Sequence, residues 1–198
     1  MTSVLGVLLA AGQGTRFEAG NKLLAEIDDE PVVDHAARTL VATRIDDVLA
    51  VLGHDADRVE DALADLADLD LRTVRNPDYE EGQATSVALG AQIADEEGFD
   101  AALFALGDLP CVAPETVRQL VETFEQGDAG IVVPTHGGQR GNPVLFGRDH
   151  FEELAGLSGD RGGRTLFEAH PVERVPVDDP GIHRDVDTVA DLERTRDD

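Results

Sequence analysis

The stretch from Leu9 to Arg16 carries residue types that are suited to binding an anion. Gly12 and Gly14 let backbone N–H groups approach a ligand closely and tolerate a positive φ angle. Arg16 offers a planar guanidinium that matches phosphate oxygens, and Lys22 adds a compact point charge shortly afterwards. Because the chain has only 16 lysines and arginines, two of them so close together predict an anion-binding loop.

This loop does not match either of two common nucleotide-binding motifs. Phe17 stands where the dinucleotide fingerprint would have its third glycine, and the Gly-Lys-Ser/Thr end of a Walker A loop is missing. A nicotinamide-dependent oxidoreductase is therefore disfavoured. The alternative to a ligand site is an ordinary glycine-containing connection between a strand and a helix.

Two later acidic segments carry the residue types that bind Mg²⁺. Asp108 follows the apolar run Ala101 to Leu106, which places it at the carboxyl end of a predicted strand, where α/β sheets bind ligands. Asp185 and Asp187 share one face of an extended segment, because side chains alternate along it. Mg²⁺ prefers one or two carboxylates together with phosphates and waters. The simpler alternatives are a helix-capping aspartate and a solvated acidic edge.

A further polar segment follows the third predicted strand, beginning at Asn76 and continuing from Gly82 into a predicted helix. Short polar side chains and exposed amides at a helix start can hydrogen-bond to the edge of a base. The same pattern is equally consistent with an N-cap. The candidate base-contacting side chains are Gln83, Thr85 and Ser86.

The elements that must position these residues alternate between apolar runs and amphipathic segments. The predicted strands are Val4 to Leu9, Val48 to Leu52, Leu71 to Val74, Ala101 to Leu106 and Ile131 to Val133. The predicted helices begin at Pro31, Asp55, Ala84 and Pro114. Apolar strands separated by amphipathic helices indicate a mostly parallel sheet covered on both faces. We therefore expect an α/β, three-layer Rossmann-like fold.

The alternation changes after Thr135, where two glycine-rich, turn-forming loops follow. Since no linker composition separates them from the rest, we expect one domain over residues 1–198, with a small C-terminal lid region. Its predicted parts are a nucleotide-binding core (1–135), an acceptor-binding lid region (136–183), and a metal-site strand with a closing helix (184–198).

The charge balance narrows the class of partner. The chain has 16 Lys and Arg against 41 Asp and Glu, a net charge of −25, which disfavours nucleic acid and anionic membranes as partners. The acids are dispersed, a pattern that fits a halophilic protein, because at about 1 M salt the Debye length falls to about 3 Å. The longest apolar run, Val4 to Ala11, is too short to span a bilayer, and no positive stretch precedes it. We expect a cytoplasmic protein.

Cysteine and histidine offer no evident site in the sequence. The single Cys111 excludes an intrachain disulfide and a cysteine-based zinc site. The histidines lack metal-ligand spacing, so an ordinary surface or helix role is expected for each. They are His35, His54, His136, His150, His170 and His183.

The pattern Leu-Ala-Ala-Gly-x-Gly-x-Arg at residues 9–16, followed by Lys22, resembles the signature of the MobA-like nucleotidyltransferase superfamily. The resemblance continues through Gly-Asp-x-Pro around Asp108 and Asp-x-Asp-Thr around Asp187. It implies catalytic roles for Arg16, Lys22 and Asp108, and a Mg²⁺ ion on Asp108 and Asp187, with Asp185 as the less favoured ligand. The implied nucleotide-binding residues are Leu9, Ala10, Ala11, Gly12, Gly14, Thr15, Arg16, Lys22, Asn76, Gly82, Gln83, Thr85, Ser86 and Asp108.

Two loops after residue 139 resemble the pterin-facing segments of the MocA-like, molybdenum-cofactor cytidylyltransferase branch. The implied acceptor-binding residues are Arg140, Gly141, Asn142, Pro143, Arg161 and Arg164. The resemblance implies transfer of CMP from CTP to molybdopterin or the molybdenum cofactor, with release of pyrophosphate. Asn142 replaces a histidine of the branch, and Gln83 departs from its usual pattern, so GTP or another phosphorylated acceptor stays open. A non-catalytic protein that delivers the cofactor, in transient contact with a molybdenum enzyme or its chaperone, is the alternative from another class.

Overall fold

A computed structural model describes residues 2–14, 17–43, 45–69, 71–159 and 162–196. Its strands are β1 (Val4–Ala10), β2 (Glu26–Ile27), β3 (Glu30–Pro31), β4 (Asp47–Leu52), β5 (Leu71–Arg75), β6 (Ala101–Leu106), β7 (Ile131–His136), β8 (Gln139–Arg140), β9 (Val144–Gly147) and β10 (Glu173–Pro176). Its α-helices are α1 (Val32–Val41), α2 (Ala56–Ala62), α3 (Gln83–Glu96), α4 (Pro114–Gln126), α5 (Phe151–Ala155) and α6 (Val189–Arg196). Short 3-10 helices include Lys22–Leu24, Tyr79–Glu81, Arg148–His150 and Gly162–Glu168.

The main sheet has the strand order β10-β7-β9-β6-β1-β4-β5, with β8 paired to β7. Strand β1 runs parallel to β4 and β6, and β4 runs parallel to β5. Strand β9 is antiparallel to both of its neighbours, β6 and β7. The sheet is therefore mostly parallel, and the predicted α/β fold is confirmed.

Both faces of this sheet are covered, because alternate side chains of β1 enter two separate apolar clusters. Leu8 is fully buried with residues of α1, α2 and α4, including Leu40. Val7 is fully buried on the opposite face with residues of α3 and α5, including Ala91. Six of the seven residues of β1 are buried, which explains the continuous apolar run in the sequence.

The predicted strands and helices of the first 135 residues are present with shifts of a few residues at their ends, and one helix differs more. The helix predicted to begin at Asp55 is α-helical only over Ala56–Ala62 and continues as the 3-10 helix Ala64–Leu69. The sequence pattern did not indicate β9 and β10. Strand β9 has only four residues, too few for periodicity to separate it from a loop.

The carboxyl ends of β6, β1, β4 and β5 lie side by side at one edge of the sheet. Residues 11–14, termed here the glycine loop, follow β1. Asp108 follows β6 and Asn76 follows β5, so the topology brings the three predicted segments to the same edge. No helix among the described residues is long and apolar enough to cross a membrane.

Candidate functional site

Lys22 joins two carboxylates that come from distant parts of the chain. Its Nζ donates hydrogen bonds to Asp108 Oδ2 over 2.5 Å and to Asp187 Oδ1 over 2.6 Å. The three side chains are only 12%, 19% and 21% exposed, respectively. Burial lowers the pKa of Lys22, but attraction and hydrogen bonds from Asp108 and Asp187 outweigh it, so the net shift is upward and the ammonium stays charged.

Backbone contacts and a small apolar cluster fix the position of Asp187. Val186 is fully buried against residues that include Phe17 and Leu192. Its N–H donates to the Asp108 carbonyl oxygen over 2.9 Å, which attaches the C-terminal segment to the end of β6. The prediction of a metal-site strand at this point is wrong. Residues 184–188 form an irregular segment, because it is anchored by Val186 and the helix cap rather than by a neighbouring strand.

The first turn of α6 holds the segment from the other side. Asp191 Oδ2 accepts hydrogen bonds from the backbone N–H groups of Asp187 and Thr188, over 3.2 and 2.7 Å. Thr188 Oγ1 in turn accepts from the Asp191 N–H over 3.2 Å. This reciprocal arrangement satisfies N–H groups that a helix start leaves without intrahelical partners. It therefore orients Asp187 toward Lys22.

Asp185 lies in the same negative region. Burial raises the pKa of its carboxyl, and repulsion from Asp187 and Asp108 adds to this effect, while Lys22 partly opposes it. The lysine hydrogen-bonds to Asp187 and Asp108. Two carboxylate oxygens that approach one cationic atom this closely form a donor set that a divalent cation could occupy with small movements.

A cavity of about 360 Å³, termed here the Lys22 cavity, surrounds this group. The predicted site residues that line it are Leu9, Ala11, Gly12, Gly14, Lys22, Gly82, Gln83, Ser86, Asp108 and Asp187. Ala10 packs in the core instead. Thr15, Arg16 and Arg161 lie outside the described residues.

The glycine loop packs directly against Lys22. Gly14 has a φ of 57°, and a Cβ at this position would lie 3.2 Å from Lys22 Cγ. Glycine thus allows both the left-handed backbone and the close approach of the lysine stem. Gly12 does not have a positive φ; the residue is exposed, and a Cβ added there would have no heavy atom within 4 Å.

Asn76 is buried and organises the wall of the cavity. Its Nδ2 donates to Thr85 Oγ1 and to Ser86 Oγ, both over 2.9 Å, and its Oδ1 accepts from the Asp78 N–H over 3.0 Å. Asn76 and Thr85 do not line the Lys22 cavity, whereas Gly82, Gln83 and Ser86 do. The network therefore supports the turn from which the lining residues project.

A second cavity of about 790 Å³, termed the arginine cavity, is lined by Arg140, Arg164 and Arg174. The Arg140 guanidinium lies over the ring of Phe167, 4.5 Å from its centroid. Desolvation lowers the pKa of Arg140, and repulsion from Arg164 and Arg174 lowers it further. Three arginines whose charges repel one another form a favourable site for an anion.

Gln83 lines both cavities, so the two are adjacent. Of the other predicted acceptor residues, Asn142 lines a small neighbouring cavity with Gln83 and Arg164. Gly141 and Pro143 are buried, and a Cβ on Gly141 would lie 2.6 Å from Ile182.

Sequence reasoning missed Tyr79 in the Lys22 cavity, and Phe167 and Arg174 in the arginine cavity. Arg174 lies on β10, an edge strand of four residues whose side chains show no hydrophobic periodicity. Tyr79 packs against Gly53, where a Cβ would lie only 2.6 Å away. A glycine directly after a predicted strand was the one available hint of that close packing.

Comparison with known proteins identifies the class. Residues 6–175 match the family of MobA-like NTP transferase domains. The chain belongs to this family, and its domain is a nucleotidyltransferase domain.

Two curated relatives illustrate how the family varies. The chain is 30% identical over 205 residues to nicotine blue oxidoreductase of Paenarthrobacter nicotinovorans, covering 96% of this chain and 95% of that protein. It is also 30% identical over 156 residues to bifunctional protein GlmU of Staphylococcus carnosus (strain TM300), covering 77% of this chain but 32% of GlmU. The chain therefore spans about a third of the GlmU proteins that it matches.

Solved structures show the same fold over the whole chain. Rv0371c from Mycobacterium tuberculosis H37Rv is 29% identical with a TM-score of 0.81, covering 100% of both chains. A complex of that protein with manganese has a TM-score of 0.78 at 29% identity, with 99% of each chain covered. A nucleotidyl transferase from Methanothermobacter has a TM-score of 0.84 at 24% identity, covering 100% of this chain and 97% of that one.

Proposed function

We propose that the protein transfers a nucleoside monophosphate from a nucleoside triphosphate to a phosphorylated small molecule, with release of pyrophosphate. The observation that carries the proposal is the pair of adjacent cavities that share Gln83. One cavity joins a glycine loop, a lysine and two carboxylates, and the other gathers three arginines. Such a pair suits two anionic substrates that must meet.

The Lys22 cavity is assigned to the triphosphate. Backbone N–H groups of the glycine loop and the Lys22 ammonium bind phosphate oxygens, and Arg16 keeps the predicted role on the departing pyrophosphate. Asp108 and Asp187 hold a divalent cation, for which we favour Mg²⁺; when bound, it neutralises negative charge around the α-phosphate. The manganese complex of Rv0371c supports the use of a divalent metal.

The arginine cavity is assigned to the acceptor. Arg140, Arg164 and Arg174 bind its phosphate and orient one oxygen toward the α-phosphorus of the triphosphate. A bond forms between that oxygen and the α-phosphorus, while the bond from the phosphorus to the pyrophosphate oxygen breaks and its electron pair leaves with pyrophosphate. Positioning and charge stabilisation account for the reaction, and no covalent intermediate with the protein is needed.

We favour CTP as the donor and molybdopterin or the molybdenum cofactor as the acceptor, as in the MocA-like branch. Phe167 supports the acceptor assignment by holding the Arg140 guanidinium, which lies 4.5 Å from the centroid of its ring inside the arginine cavity. GTP, or another phosphorylated acceptor, is the nearest alternative, and Gln83 and Ser86 are the base-facing candidates that would decide it. In this proposal residues 1–135 bind the nucleotide, residues 136–183 bind the acceptor and residues 184–198 complete the metal site.

The test is pyrophosphate release with CTP, GTP, ATP or UTP, in the presence of Mg²⁺ and molybdopterin, in high-salt buffer. We expect CTP to give the highest turnover and Asp108→Asn to abolish it. Asp178→Asn, which removes the same charge from an exposed loop position, should keep full turnover. Folded protein that is inactive with all four nucleotides would overturn the proposal.

A redox activity is the second candidate, because the nearly full-length relative in Paenarthrobacter nicotinovorans is named an oxidoreductase. A third alternative is a binding protein that delivers the molybdenum cofactor without turnover. Asp108→Asn distinguishes the transferase from the delivery protein. A transferase should lose turnover, whereas a delivery protein should keep its affinity for the cofactor. Oxidation of a reduced nicotinamide, followed at about 340 nm, would indicate the redox activity.

A further inference from the structure

Three potential metal ligands meet outside the residues that line the Lys22 cavity. One ligand atom each from His150, Glu153 and His170 lie within 4.8 Å of one another. His170 Nε2 is 2.9 Å from Glu153 Oε2, and His150 Nδ1 is 3.9 Å from Glu153 Oε1. His150 and His170 have no metal-ligand spacing in the sequence, and the fold nevertheless brings them together.

His150 is held in an orientation that leaves one nitrogen without a partner. The residue is 8% exposed, and its Nδ1 is the one buried side-chain nitrogen or oxygen without a hydrogen bond in the part of the chain that the structure describes. Its other nitrogen, Nε2, lies so close to Gly130 that a Cβ there would be 2.4 Å away. The packing at Gly130 therefore directs Nδ1 toward Glu153 and His170.

The unpartnered Nδ1 of His150 is suited to a metal ion. A neutral imidazole is the form that binds metals. A buried polar atom without a partner is unfavourable, and a metal ion would satisfy it.

We propose that His150 Nδ1, a carboxylate oxygen of Glu153 and His170 Nε2 bind one zinc ion, with water as the fourth ligand. Two imidazoles and a carboxylate are a known zinc donor set, and imidazole favours zinc over magnesium. Zinc–ligand bonds of about 2.0–2.1 Å in a tetrahedron place the ligands about 3.4 Å apart. The observed separations of 2.9 and 3.9 Å lie on either side of that value.

The ion can reach the site from solvent, and its binding would connect two elements. The side chains of Glu153 and His170 are 49% and 28% exposed. His150 caps the N-terminus of α5 and Glu153 lies within that helix, whereas His170 follows the 3-10 helix Gly162–Glu168 and lines the arginine cavity. Zinc would therefore fix the segment that carries Arg164. The site does not depend on the proposed transferase activity.

The test is titration of the metal-free full chain with Zn²⁺ by calorimetry, in high salt with millimolar Mg²⁺ to occupy surface carboxylates. We expect one zinc per chain, with affinity lowered at least about tenfold by His170→Gln or by Glu153→Gln. His35→Gln is the matched control, because His35 also lies 3.9 Å from a glutamate, Glu30, but has no second histidine in such a cluster.

Cobalt provides a second readout, since its visible absorption reports nitrogen ligation and should disappear in the same two variants. Circular dichroism tests whether each variant is folded. If His170→Gln does not fold, the zinc affinity of Glu153→Gln, at a half-exposed position, tests the site instead. No stoichiometric zinc binding by the unmodified chain, or the same affinity in all variants, would overturn the site.

Discussion

Lys22 Nζ donates a hydrogen bond to Asp187 Oδ1 over 2.6 Å, although 165 residues separate the two in the sequence. The contact joins the loop after the first strand to the segment that precedes the last helix. Because the same nitrogen also contacts Asp108, the centre of the candidate site forms only when three distant segments have folded together. Substitutions at these residues should therefore change both stability and activity.

Replacing Lys22 by glutamine should leave Asp108 and Asp187 close together without their cation. We expect the free energy of unfolding to fall by about 1.5–3 kcal/mol in buffer with a metal chelator, the range for hydrogen bonds to charged groups. Added Mg²⁺ should restore part of this loss by neutralising the two carboxylates. Urea unfolding with and without Mg²⁺ measures both effects.

Arg118→Gln is the control for Lys22→Gln, since it removes one positive charge from an exposed ion pair with Glu115. Its effect on stability should stay within about 0.5 kcal/mol. An equal Mg²⁺ effect on the two variants would contradict the metal assignment.

Asp187→Asn and Asp185→Asn should behave differently. Asp187 contacts Lys22 beside Asp108, so its loss should raise the Mg²⁺ concentration needed for half-maximal pyrophosphate release by at least about tenfold. Asp185→Asn should change it far less. If Asp185→Asn has the larger effect, the metal ligand is Asp185 and the assignment must be reversed.

Asn76→Ala should destabilise the fold without removing a lining side chain. The substitution deprives Thr85 and the buried Ser86 of a hydrogen-bond donor, which costs about 1–3 kcal/mol for unsatisfied buried groups. Thermal unfolding should show the loss. Gln119→Ala, at a helix position with a single side-chain hydrogen bond to Glu115, should cost under about 0.5 kcal/mol.

Arg174→Gln should raise the KM for the phosphorylated acceptor about tenfold or more, because it removes one cation of the arginine cavity. The KM for the nucleotide should not change. Steady-state kinetics with each substrate varied in turn distinguishes the two. Arg58→Gln, which removes an exposed arginine paired with Asp55, should leave both values unchanged; a rise in the nucleotide KM for Arg174→Gln would count against the assignment of the cavities.

Thermal stability should rise with salt. A net charge of −25 opposes the compact state, and salt screens that repulsion. We expect Tm to increase between about 0.1 and 2 M KCl as the Debye length falls from about 10 Å to below 3 Å. A Tm that is independent of salt would exclude halophilic adaptation.

The sequence predicted most of the sheet because β1, β4 and β6 are buried on both faces and therefore read as continuous apolar runs. Asp108 was found for the same reason, since it follows such a run. Strand β9 was missed because its hydrogen bonds to β6 and β7, rather than its own composition, define it as a strand. Its flanking Asn142 and Pro143 suggested a loop instead.

The remaining features of the site could not be predicted from the sequence, because they depend on contacts between distant segments. The sequence indicated Lys22 and Asp187 separately, but no local sequence pattern predicts that their side chains are in contact. The grouping of His150 with His170, and the entry of Arg174 into the arginine cavity, depend on the packing of α5 and β10. The type of a side chain thus predicted its chemical role better than it predicted which residues it contacts in the fold.

The hydrogen bonds from Lys22 to Asp108 and Asp187 have a thermodynamic consequence for ligand binding. A metal ion that approaches Asp108 and Asp187 must compete with Lys22, whereas a bound triphosphate offers the ammonium new oxygen partners. Each ligand should therefore raise the affinity for the other by the same factor, because coupling between two sites is reciprocal. The protein should take up metal weakly alone and tightly with nucleotide, so that the complete charge cluster is assembled only when both have arrived.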